Sequence, residues 1–76
     1  MKIIRQIEFT GKNLNDIFNL PCVKSIHKST YNLMPIVTLW ENYMRYSGYN
    51  EVYIGDTLAE FEDKTWDILP PHLFSH

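Results

Sequence analysis

A single cysteine, Cys22, in a chain of 76 residues rules out an internal disulfide, the staple on which many small domains depend. One cysteine also points to a reducing compartment. A chain of this length buries only about 60% of its unfolded surface, so it has room for one domain, residues 1–76, and one modest core. No apolar run approaches the roughly 18 residues of a membrane span. Glu8 and its polar neighbours interrupt the opening "MKIIRQIEFTGK", which is therefore not expected to be a signal peptide. A cytoplasmic protein without a membrane segment is the expectation.

The hydrophobic pattern predicts many short strands and one helix. In "KIIRQIEF", Ile3, Ile7 and Phe9 alternate with Gln6 and Glu8, and Ile4 falls on the polar side. "GKNLNDIFNLP" predicts a short helix, with Asn13 as N-cap, Asp16 in the first turn, and Leu14, Ile17 and Phe18 on one face. Pro21 cannot continue it. "CVKSIHKST" reads as a strand or an extended loop, and "MPIVTLWENYM" as the clearest strand. "RYSGYN" is a turn. "EVYIGDTLAEFEDKTWDILP" predicts strand, Gly-Asp corner, strand, a tight turn at Asp63-Lys64, and strand. Pro70-Pro71 closes that strand and is placed to open a short C-terminal helical turn. The expected fold is α+β: one small curled antiparallel sheet of five or six strands, packed by one short N-terminal helix.

The net charge of −2 conceals a division. Residues 1–50 carry six Lys or Arg against three Asp or Glu, whereas residues 51–67 carry six acids against Lys64 alone. With no basic run, direct nucleic-acid binding is not expected. The acidic segment suits a basic partner surface, and it also suits the solvent faces of strands.

Three groups of residues are candidates for chemistry. Cys22, His27, His72 and His76 are all the Cys and His of the chain, and zinc favours four such ligands. The spacing is not that of a standard finger, however, and a free cysteine is commonly a core residue, so no cofactor is the expectation and zinc the one alternative. Cys22 as a nucleophile would need a partner histidine and an oxyanion site; no nucleophile elbow or phosphate loop accompanies it, and no enzyme is expected. Tyr43, Tyr46, Tyr49 and Tyr53 crowd "NYMRYSGYNEVY" around Arg45, a composition typical of binding hot spots and equally able to cover a thin core.

Phe9-Thr10-Gly11, Thr38-Leu39, Gly55-Asp56, Trp66 and Pro71-His72-Leu73-Phe74, taken with the short helix between the first two, resemble a family of small phage and prophage proteins. The chain departs from that pattern at "RYSGYNE", which looks inserted, and at Lys64, where the family has glycine. The resemblance implies viral origin and an accessory role without enzymatic activity. The expected function is binding of a host protein, in its sharpest form an anti-CRISPR-type block of a Cas nuclease. Glu60, Glu62 and Asp63 would then occupy phosphate-binding positions, with Tyr43, Arg45, Tyr46 and Tyr49 alongside and Tyr46 and Tyr49 as anchors. The alternative is a self-associating module that pairs exposed sheet edges into a homodimer.

Overall fold

The computed structural model describes residues 2–46 and 48–71. It contains six strands, β1 (Ile3–Glu8), β2 (Val23–Lys28), β3 (Pro35–Leu39), β4 (Glu51–Val52), β5 (Thr57–Phe61) and β6 (Trp66–Leu69). One short helix, α1 (Leu14–Phe18), lies between β1 and β2. The strands divide into two antiparallel sheets of three, ordered β1-β5-β6 and β2-β3-β4. The expected single curled sheet packed by a helix is thus corrected to a mostly β fold. Its core is one cluster drawn from both sheets, with Leu58, Trp66 and Ile68 from the first and Val23, Val37, Leu39 and Val52 from the second. The reason is the size of α1. Its five residues bury only Ile17, while Leu14 and Phe18 stay exposed, so the sheets must cover each other.

Asn13 also departs from expectation. Its side chain makes no cap bond to the helix. Instead, its Oδ1 accepts from the backbone N–H and the hydroxyl of Thr10, both at 3.1 Å, and its Nδ2 donates to the Glu8 carbonyl at 2.7 Å. The residue ties the end of β1 to the helix entry.

Ile4 is exposed, as its alternation predicts, and marks a register shift in the pairing of β1 with β5, between Ile3 and Arg5. Beyond it, Arg5 lies opposite Glu60 and Ile7 opposite Leu58, so these four share a face with Trp66 and Ile68. "CVKSIHKST" resolves as a strand, with its own shift between Val23 and Ser25. β3 is shorter than "MPIVTLWENYM" implied: it stops at Leu39, and Glu41–Tyr43 form a 3-10 turn. That turn carries the chain out of one sheet and into contact with the other, where Met44 forms an isolated bridge with Trp66.

Gly55 has φ 103°, a conformation costly for any residue with a Cβ, and so permits the expected corner before β5. Asp56 secures it by accepting the Tyr53 N–H at 3.0 Å. The β5–β6 turn is longer than two residues. The Lys64 N–H donates to the Phe61 carbonyl, the Phe61 N–H to the Thr65 carbonyl, and Lys64 sits at φ 72°. This is a three-residue loop ending in a left-handed position, where glycine is the favoured residue. Lys64→Gly is expected to stabilise the protein by about 0.5–1 kcal/mol, the left-handed penalty less the extra chain entropy of glycine. A urea midpoint that is unchanged or lower in that variant would count against the strained turn.

Candidate functional site

The segment between β3 and β4 is held at both ends by backbone. At its start, the Trp40 N–H donates to the Cys22 carbonyl at 2.8 Å, and the Arg45 N–H donates to the Trp66 carbonyl at 2.8 Å. At its end, the Leu39 N–H donates to the Asn50 carbonyl, and Asn50 Nδ2 donates back to the Leu39 carbonyl, both at 2.8 Å. A loop clamped at both ends presents its side chains without depending on its own internal bonds.

Arg45 locks this loop to the β5–β6 hairpin. Its Nη1 lies 3.3 Å from Asp63 Oδ2 and 3.4 Å from Thr65 Oγ1. Its guanidinium stands 4.8 Å from the centre of the Phe61 ring and 5.9 Å from that of Tyr46. Asp63 in turn accepts from the hydroxyl and the N–H of Thr65. Those two bonds, with Arg45 beyond them, hold its carboxyl below the usual range.

Beside Arg45 lies a cleft of about 290 Å³ lined by Glu41, Met44, Arg45, Tyr46, Gly48, Tyr49 and Asn50. Tyr46 and Tyr49 are 62% and 53% exposed, whereas Tyr43 is half-buried and packs against the core. The surroundings are electronegative. Burial pushes the Tyr49 phenol above its ordinary value, and Tyr53, Asp56 and Glu51 add to the effect. The Tyr53 hydroxyl donates to Glu51 at 3.0 Å, and this bond first, then burial and the nearby carboxylates, pushes that phenol up as well.

The three carboxylates read as one acidic row are separated. Glu62 and Asp63 are exposed, but Glu60 is only 5% exposed and turns toward the core beside Leu58. Arg5 meets it with Nη2 at 2.8 Å and Nε at 3.0 Å. The shared parity of Leu58 and Glu60 was the available signal, since side chains two apart on a strand share a face. Glu41 and Asn50 went unnoticed because nothing in their local sequence marks them; the clamp between Leu39 and Asn50 brings them to the cleft.

The Cys and His residues are also dispersed. Cys22 is fully buried in the core and His27 is exposed on β2, while His72 and His76 lie outside the described residues. Among the described residues, no group of three or more His, Cys, Asp or Glu is arranged to hold a metal ion. Burial pushes the Cys22 thiol up to about 12, with Glu60 adding to the effect and Arg5 opposing it. That environment opposes the thiolate required of a nucleophile or a zinc ligand.

A pH dependence follows. Below about pH 9, Cys22 is protonated whether the chain is folded or not. Above that, the unfolded chain loses the proton while the folded one keeps it up to about 12, so stability falls as pH rises. Urea midpoints are expected to drop between pH 9 and 10.5, and less steeply in Cys22→Ala. Identical slopes would contradict the buried thiol.

Among the described residues, no helix is long and apolar enough to cross a membrane. No protein-family model, no curated protein and no solved structure matches this chain.

Proposed function

We propose that this chain is a phage-encoded accessory protein that acts in the bacterial cytoplasm by binding a host protein with a basic surface. A host defence nuclease is the partner class implied by the family resemblance. The observation that carries the reading is the juxtaposition of exposed Tyr46 and Tyr49 with the acidic β5–β6 turn, joined through Arg45 and Asp63. Tyrosines held at low entropic cost supply contact area, and neighbouring carboxylates supply steering and register. Glu62 is the most available of the three carboxylates: it is exposed and accepts the Lys2 backbone N–H at a long 3.4 Å, whereas Glu60 is committed to Arg5 and Asp63 to Thr65 and Arg45. The self-associating alternative has less support. The edge strands are β1, β6, β2 and β4: β1 and β2 each carry a register shift, β4 is two residues long, and Met44 bridges to β6 at Trp66, features that discourage edge-to-edge pairing.

The test is capture of a partner from a lysate of a phage host by wild-type protein and by the triple variant Glu62→Lys, Tyr46→Ala, Tyr49→Ala. All three positions are exposed, so the circular dichroism spectrum is expected to be unchanged. Retention is expected to fall about tenfold or more, and wild-type retention to weaken with salt. Equal retention by the variant would sink the proposal.

A further inference from the structure

We propose that the cleft between Tyr46 and Tyr49 receives one basic side chain of the partner, arginine in preference to lysine; this rests on the binding function proposed above. The volume, about 290 Å³, lies at the lower edge of the roughly 300–1,000 Å³ of small-molecule sites, so it suits a single side chain better than a cofactor. Its walls combine two exposed tyrosines with the carboxylate of Glu41. A planar guanidinium can lie on a tyrosine face while donating hydrogen bonds in its own plane, whereas an ammonium offers only a point charge.

Charge complementarity selects the sign of the guest. Among the described residues Arg45 is the one cation lining the cleft, and Asp63 stands 3.3 Å from it. Glu41 on the wall, with Glu51 and Asp56 near enough to act on the Tyr49 phenol, then leaves the region net negative. An acidic guest would meet these carboxylates, and a purely apolar guest would bury Glu41 without a partner. A basic side chain satisfies the carboxylate and the aromatic faces together.

N-acetyl-arginine N-methylamide, titrated into the full chain and followed by amide and aromatic NMR shifts, is the test. Saturable millimolar binding is expected, with shifts confined to Glu41, Tyr46, Gly48, Tyr49 and Asn50. The neutral isostere N-acetyl-citrulline N-methylamide and the ammonium probe N-acetyl-lysine N-methylamide should each bind at least about threefold more weakly, and equal binding of lysine would overturn the preference. Glu41→Gln and Tyr49→Ala should each weaken the arginine probe by about three- to fivefold while leaving amide signals elsewhere in place. Equal binding of citrulline, or no saturable shift with arginine, overturns the inference. If arginine fails but partner capture still depends on Tyr46 and Tyr49, the inference falls and the proposed function stands. If arginine binds as expected and capture ignores those residues, the cleft selects basic side chains but not the partner's, and the proposed function falls together with the inference.

Discussion

Trp66→Ala is expected to lower the stability of the chain by about 3–5 kcal/mol at room temperature. Trp66 is the largest fully buried side chain, and truncating such a ring costs about 3–5 kcal/mol. A domain of this size holds roughly 4–11 kcal/mol in total, so the loss amounts to between about a quarter and all of it. The position matters beyond its volume. Trp66 pairs with Glu60 in one sheet, bridges to Met44 from the loop after the other, and accepts the Arg45 N–H on its carbonyl. Losing it therefore loosens both the joint between the sheets and the floor of the tyrosine cleft. Trp66→Phe makes the informative comparison. The indole Nε1 is buried and has no hydrogen-bond partner, a deficit of about 1–3 kcal/mol that phenylalanine removes. The phenylalanine variant should accordingly lose far less than the alanine one in urea titrations followed by circular dichroism. Comparable losses in the two would show that the indole N–H is satisfied.

Arg5→Met is expected to cost about 2–3 kcal/mol through a different mechanism. It leaves the carboxylate of Glu60, whose side chain is only 7% exposed, without its 2.8 Å partner. Breaking a fully buried pair costs about 3–5 kcal/mol, and the Arg5 side chain is 50% exposed, so water softens the loss. Some of the penalty is packing, because the guanidinium also covers the Trp66 ring at 5.4 Å. Adding Glu60→Leu to Arg5→Met should restore most of the stability, since an apolar pair on that face needs no compensation. A double-mutant cycle in urea reads the coupling directly, and a coupling near zero would mean that Glu60 is hydrated rather than buried. The same cycle bears on function, because a carboxylate needed to hold β1 against β5 cannot also mimic a phosphate for a partner.

Short-range rules located the segments well. Alternation and β-branched residues marked five of the strands and left the segment of β2 open between strand and extended loop, Gly55-Asp56 marked its corner, and Lys64 declared itself as a residue standing where a turn prefers glycine. Such features depend on sterics within a few residues, which the chain carries wherever it folds. Their partners were another matter. Five helical residues were too few to cover a sheet, so the second layer had to come from three distant strands, and nothing local announces that choice. The β1–β5 register set Arg5 beside Glu60, 55 residues away, which turned one member of an apparent acidic row into a buried ion pair. The tyrosines and Arg45 were visible as a cluster in the sequence, but not the cleft they enclose. That cavity exists because Asn50 is hydrogen-bonded to Leu39 and Arg45 to Asp63, contacts closed across 11 and 18 residues. Composition and local geometry therefore settled which residues were available for binding. Long-range pairing, which must outweigh the entropy of closing each loop, settled which of them face a partner.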